Sequence, residues 1–358
     1  FHRGRGVGVF STREMNRPPR NASRSRVLPL ALLVAIGAAS PAAFAVTLKD
    51  PRGPMGSRFE ISAVHPDPKK CQAAIDAAYA EIDRIEALIS EWRESSKVSE
   101  INRQAGVAPV EVPKELANLV RRSLRVSALT GGAFDITFHT VGRLWNFKSH
   151  TSPVPEKEAI EAALADTGYR HVVLDDAKST VYLDRKGTRI GFGAIGKGYA
   201  ANRAVFVLKE HGVTGGVVNA GGDLVIFGTQ ENGRPWRIGI ANPLDRDKTF
   251  AWLDTTEQAV VTSGNYENYI ELDGRRLSHI LDPRTGWPVE ELRSVTIVCP
   301  DGELADALAT GVSALGVEKG LELVDRLNGV EAMLVDANGK IHFSRGLEAM
   351  VTKTGKAK

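Results

Sequence analysis

From Gly191 to Ala204 the chain reads GFGAIGKGYAANRA, four glycines within eight residues followed by good helix formers. Gly191, Gly193 and Gly196 fit the G-x-G-x-x-G dinucleotide fingerprint, while Gly191, Gly196 and Lys197 fit the start of a P-loop. Each template fails at the atom that does its chemistry. A P-loop needs a Ser or Thr hydroxyl after the Lys, and here Gly198 follows. A Rossmann unit needs an acid about 20 residues further on for the ribose, and that region reads HGVTGGVVN. Two readings stay open. The glycines let the backbone approach a ligand while the following helix turns its free N–H groups toward anionic oxygens, or they pack the helix tightly on a sheet.

Working outward, the flanking elements decide between fold classes. Upstream, Ser57 to Val64 reads as a strand, and Ile75, Ala78, Ile82, Ile85 and Ile89 form one helical stripe. A polar loop follows Trp92. Pro113 opens a helix that Gly131-Gly132 stops, a short helix runs from Glu156 to Ala165, and His171–Leu174 with Thr180–Leu183 makes a hairpin. The glycine stretch feeds a helix from about Lys197 to Glu210. Downstream come short strand candidates at Val217-Val218, Leu224–Phe227, Trp236–Ile240, Ala259–Thr262, Tyr269–Leu272, Ser278–Leu281 and Val295–Val298. Asp273-Gly274 marks a hairpin, helices span Glu303–Ala314 and Val317–Leu327, and a last hairpin turns at Asn338-Gly339. Hairpins without a regular β-α-β alternation predict an α+β fold with mixed or antiparallel sheets and flanking helices.

The 358 residues, 42% hydrophobic and 25% charged, suit a globular chain with a sizeable core. The N-terminus differs in kind. Met15 precedes several arginines, an apolar run from Val27 to Ala39 too short to span a bilayer comfortably, and Ala43-Phe44-Ala45, a small-x-small cleavage pattern. The expectation is upstream residues and a secretory signal over 1–45, a domain over 46–351 and a frayed tail over 352–358, with an exported, periplasmic location. Through Ala45 there are seven Arg and one Glu, a net of +6, so the remainder carries −3 of the formal +3. The basicity belongs to the leader, and nothing suggests a nucleic-acid partner or a membrane segment after cleavage. Cys71 and Cys299 stand alone; export permits a disulfide, and two buried thiols fit equally well.

Four loops combine glycine with a carboxylate or hydroxyl: Gly131–Thr137 (GGAFDIT), the opening stretch, Asn219–Asp223 (NAGGD), and Thr262–Tyr266 (TSGNY). One alone is turn chemistry; four suggest a shared cleft. Asp306 and Thr310 lie four apart on one helix face, a hard oxygen pair suited to Mg²⁺; alternatively Asp306 complements the helix dipole and Thr310 bonds back to the i−4 carbonyl. His279, at the entrance of Asp282-Pro283-Arg284-Thr285-Gly286, is positioned in sequence to act as a general base. His139, His171 and His342 have no partner at ligand spacing and read as ordinary.

Taken in order, GGAFDIT, GKGYAANRA, NAGGD, TSGNYENY, SHILDPRTG and DALAT resemble the motifs of the ApbE-type FAD:protein FMN transferases, over the chain from about Met55 to the last hairpin. The resemblance implies a two-lobed α+β fold with a flavin cleft. It also implies an exported, Mg²⁺-dependent enzyme that joins FMN from FAD by a phosphodiester to a Thr or Ser hydroxyl of a target flavoprotein, releasing AMP. Targets in the family are membrane-associated subunits of sodium-pumping NADH:quinone reductase, of the Rnf complex, or of nitrous-oxide-reductase maintenance. By the same resemblance, Asp306, Thr310 and the Ala194 carbonyl hold the metal. Met55, Ser90, Glu91, Trp92, Ala133, Phe134, Asp135, Lys197, His279 and Ile280 line the FAD site, and His279 is the base. Many members carry Asp at the cofactor-binding position of Gly191 and another at Asn202. A Mg²⁺-dependent FAD pyrophosphatase shares every site and differs only in the acceptor; a non-catalytic flavin carrier is a further alternative.

Overall fold

The computed structural model describes residues 45–353 apart from 243, 244, 266, 267 and 273. The expected leader therefore lies outside the described residues, as do Tyr266 and Glu267 of the TSGNYENY motif, Asp273 of the hairpin signal and the tail from residue 354.

Strand runs such as LVIF, AVV and VTIVC are apolar at consecutive positions because both faces of their sheet are covered. Eight strands, Val46–Arg52, Phe59–His65, Gly215–Ala220, Asp223–Gly228, Glu257–Gly264, Leu292–Cys299, Glu331–Asp336 and Ile341–Phe343, lie side by side in the order in which the chain makes them. Every neighbouring pair is antiparallel. The period of two splits their residues between faces. Phe59, Ile61, Val225, Phe227, Val295 and Ile297 pack toward the helices, whereas Ile226, Val260, Val298 and Met333 meet Ile238, Ile240 and Leu253 of the hairpin Trp236–Asn242 and Asp245–Thr255.

Three long helices cover the first face. Pro68–Ile89 buries the predicted isoleucine stripe, Gly196–Glu210 packs beside it, and Gly302–Val324 lies next to that over the strands Glu257–Gly264 and Leu292–Cys299. The two helices expected at the C-terminal end are both present within Gly302–Val324 and meet at a kink at Gly316 (φ 79°), where Glu291 accepts the Val317 N–H at 2.8 Å. The loop expected after Trp92 contains the helix Lys97–Arg103, capped by Ser96, whose hydroxyl accepts the Ser99 N–H at 3.0 Å. Thr352 and Lys353, expected to fray, pair with Trp252 and Ala251. A third apolar cluster, Val141, Trp145, Ile160, Ile270, Leu277 and Leu281, forms the smaller lobe. The fold is thus α+β, with antiparallel sheets and helices in two lobes. Cys71 and Cys299 are buried and unpaired.

Candidate active site

The site begins with two glycines. A Cβ at Gly198 would lie 2.1 Å from the Gly302 carbonyl oxygen and 2.9 Å from the Asp306 Cβ. A Cβ at Gly302 would lie 2.8 Å from Asn202 Oδ1 and 3.2 Å from the Gly198 oxygen. Two helix starts therefore touch backbone to backbone, an approach only glycine permits. Asn202 clips them, accepting the Gly302 N–H at 3.0 Å and donating to Asp301 at 3.1 Å, while Asp301 caps its own helix at the Leu304 N–H, 2.9 Å away. The hydroxyl a P-loop would need after Lys197 has no room. Both sequence readings of the stretch are modified: at Gly198 the tight packing is of helix on helix, and its free first-turn N–H takes a carboxylate of its own chain, Asp306, at 3.0 Å.

That crossing sets Asp306 and Thr310 into a cavity of about 600 Å³ between the two lobes. Ala194, Lys197, His279, Ile280, Glu91 and Trp92 line it too, as do Ala133, Phe134 and Asp135. Three of the four glycine loops thus reach one space, including Thr262, Ser263 and Gly264 of the fourth motif. The NAGGD loop stands behind it: Asp223, buried, forms an ion pair with Lys197. The ammonium is thus paired with Asp223, and its charge also reaches the buried carboxyl of Asp306. Burial, and then the Asp223 charge, push the Asp306 carboxyl up to about 7, against Lys197 and the backbone N–H groups of Gly198 and Lys197. A surplus of buried negative charge beside a half-buried hydroxyl is a fitting environment for a hard cation. Among the described residues no three His, Cys, Asp or Glu side chains converge as a metal cluster, so a cation here would rely on mixed carboxylate, hydroxyl and carbonyl oxygens.

His279 Nδ1 lies 3.1 Å from the Asn268 carbonyl oxygen. A carbonyl only accepts, so in the neutral ring Nδ1 carries the proton and Nε2 keeps its lone pair. Burial lowers the pKa, the Asn268 carbonyl opposes that, and Lys197 lowers it further. The imidazole is thus held as a free base at neutral pH. Aromatic rings form much of the wall: Trp145 and Phe147 stack with centroids 5.7 Å apart, and Phe147 meets the His279 ring edge-on at 6.5 Å.

Three expected residues stand outside the lining. Met55, with a left-handed backbone (φ 53°), donates its N–H to Glu86 at 2.9 Å and rests near Gly196. Ser90 ends the first long helix and accepts the Trp92 N–H at 3.3 Å, orienting the tryptophan from behind. Gly191 is buried, and a Cβ there would meet Glu91 Oε1 at 2.9 Å and His139 Cβ at 3.2 Å. The space that a side chain at 191 would need is thus filled by Glu91, whose carboxyl is itself raised by burial. Asp135 lines the cavity but spends its oxygens locally, accepting from Thr137 at 2.8 Å and from the Tyr169 N–H at 2.5 Å.

His139, read as ordinary, also lines the cavity; burial, and then Arg143 and Arg189, push its pKa down to about 4. Its place two residues after the GGAFDIT run was the available signal. Phe138, Trp145 and Phe147 line the cavity as well, and the aromatic run WNF at 145–147 was the signal for the last two. His171 and His342 do sit apart, bonded to Asp184 and Asp336.

An aromatic-walled cavity holding a buried acid–hydroxyl pair, an ammonium and a free-base histidine defines a group-transfer type of site for a ring-bearing, anionic ligand. The chain belongs to the ApbE family, whose profile matches residues 55–334. A FAD:protein FMN transferase of Klebsiella pneumoniae (strain 342) is 34% identical over 308 residues, covering 84% of this chain and 87% of that protein. A protein of the same name from Escherichia coli (strain K12) is 34% identical over 291 residues, 80% of this chain and 83% of that one. The crystal structure of an ApbE protein from Thermotoga maritima superposes with a TM-score of 0.79 at 32% identity, covering 85% of this chain and 99% of that one. The apo flavinyl transferase ApbE of Pseudomonas stutzeri gives 0.75 at 30% identity, over 86% and 97%. Among the described residues no helix is long and apolar enough to cross a membrane.

Proposed function

We propose that this chain is an exported, Mg²⁺-dependent FAD:protein FMN transferase that modifies a Thr or Ser of a flavoprotein subunit in a membrane electron-transfer complex, of the quinone-reductase, Rnf or nitrous-oxide-reductase-associated kind. The observation that carries the reading is the meeting of His279, with Nε2 unprotonated, and the Asp306–Thr310 pair in one aromatic cavity. The names of the relatives support the donor and the reaction, and the small-x-small leader supports export.

On this reading the acceptor hydroxyl oxygen attacks the FMN-side phosphorus. A P–O bond forms to the acceptor, the bond from that phosphorus to the bridging oxygen breaks, and AMP leaves with that oxygen. His279 Nε2 takes the hydroxyl proton. Lys197, pinned by Asp223, stabilises anionic oxygens near the cavity floor, and the aromatic wall orients the ring system. Asp306, Thr310 and the Ala194 carbonyl would hold Mg²⁺, which when bound neutralises pyrophosphate oxygens and charge on the departing AMP.

Asp306→Ala tests the reading: AMP release and FMN transfer should both be lost while the protein stays folded. Undiminished transfer in that variant with Mg²⁺ present would overturn the metal assignment. AMP with free FMN in the wild type, even with acceptor supplied, would move the chain to FAD pyrophosphatase.

A further inference from the structure

A second cleft, of about 830 Å³, opens beside the first and shares Glu91, Trp92, His139 and Arg143 with it. Arg103, Arg143 and Arg189 all line it. Each guanidinium donates to main-chain carbonyls: Arg103 to Glu94 at 2.8 Å, Arg143 to Thr140 at 3.2 Å, and Arg189 to Lys186 and Thr188 at 2.8 Å. Among the described residues none of the three is in a side-chain ion pair, whereas most other arginines of the fold are. Two acids share the cleft. Glu91 is half-buried, its carboxyl raised by desolvation and tied to backbone N–H groups, and Glu94 is exposed at the rim. The balance is cationic. Burial and the neighbouring Arg143 charge lower the pKa of Arg189, with Asp166 opposing in part, so these two guanidiniums repel each other in the free protein.

We propose that this cleft seats an acidic stretch of the acceptor polypeptide, delivering its hydroxyl past Trp92 into the first cavity; the proposal rests on the transferase reading. Once FAD fills the aromatic cavity, the acceptor needs its own approach, and the second cleft lies against the first along the four residues they share. Trp92, 76% exposed, and the neutral His139, edge-on to it at 5.5 Å, offer an apolar threshold for the residues around the hydroxyl. Arg103 and Arg143 are exposed, an open and solvated arrangement that suits carboxylates of an extended chain better than an enclosed small anion.

The test uses the full chain with FAD and Mg²⁺ and labelled peptides of one length, each with a central Thr flanked on one side by a pair of Asp, Asn or Lys. Fluorescence anisotropy reports binding, and covalent flavin reports transfer. The Asp peptide should bind about tenfold tighter than the Asn peptide, with the advantage shrinking as salt rises. Arg103→Glu combined with Arg189→Glu should shift the preference to the Lys peptide and leave the FAD dissociation constant unchanged; Arg189→Gln alone should show part of the loss. Equal binding of the Asp and Asn peptides, or an Asp preference that survives in the double variant, overturns the proposal. So does a variant that weakens FAD and leaves the peptides alone. If the Asp peptide binds as expected and no peptide of any charge acquires FMN, the transferase reading fails instead.

Discussion

At position 191 the chain has no side chain because Glu91 occupies the volume: a Cβ would lie 2.9 Å from its carboxylate. Gly191→Ala should therefore cost about 1 kcal/mol through overpacking. Glu91→Ala in the same chain should remove most of that cost, a coupling that a double-mutant cycle in urea measures directly. Independent, additive effects would show that the two positions do not compete for space. His279 makes a separate prediction. As the proposed proton acceptor, with Nδ1 committed to the Asn268 carbonyl, it should lose about 10²- to 10⁴-fold in transfer rate as His279→Asn, with FAD binding little changed. Its pKa lies below the ordinary histidine value, so with Mg²⁺ saturating, which keeps Asp306 ionised, the wild-type rate, measured by AMP release, should stay flat as pH falls through the usual histidine range and decline only below it. A decline centred at that ordinary value would place the base elsewhere.

Among the elements, the two helix starts that meet at Gly198 and Gly302 set the cavity floor. With a carbonyl oxygen 2.1 Å from where its Cβ would stand, Gly198→Ala should force the helices apart, at roughly 3 kcal/mol or more, and weaken FAD binding because Asp306 loses its N–H partner. Thermal unfolding and FAD titration of the same variant check both halves; a variant of wild-type stability would mean that the helices tolerate separation. This crossing also explains what the sequence could and could not reveal. The isoleucine stripe of Pro68–Ile89 and the helix after the glycine run follow from local periodicity and were legible. The glycines announced a close approach without saying to what, since Gly302 stands far along the chain. The helix Lys97–Arg103 is too short and polar for its pattern to outweigh a loop reading. His139 gave no partner at ligand spacing because the ring it meets edge-on, Trp92, comes from far along the chain and reaches it through tertiary packing. Motif order named most of the cavity lining, whereas Gly191, Met55 and Ser90 support the site from behind it.

At the scale of the whole molecule, burying ionisable groups around one cavity couples the site to stability. The His139 pKa falls from 6.5 to about 4 in the folded protein. The unfolded chain therefore takes a proton on this ring near 6.5, and the folded chain does not until about 4. This contribution is fully present above 6.5 and is lost as pH falls toward 4, at a limiting slope of about 1.4 kcal/mol per pH unit. The difference in unfolding free energy between wild type and His139→Asn, followed by denaturant titration across that window, should shrink toward low pH; a constant difference would show that the ring titrates normally in the fold. The two-lobed cavity is proposed to carry FMN from FAD to a protein hydroxyl. The most direct test incubates the protein with FAD, Mg²⁺ and a Thr-bearing acceptor and measures AMP together with flavin that stays on the denatured acceptor. Equal amounts of AMP and covalent FMN, both abolished by EDTA, are the predicted result. AMP accompanied only by free FMN, or bound FAD with no AMP, would contradict it.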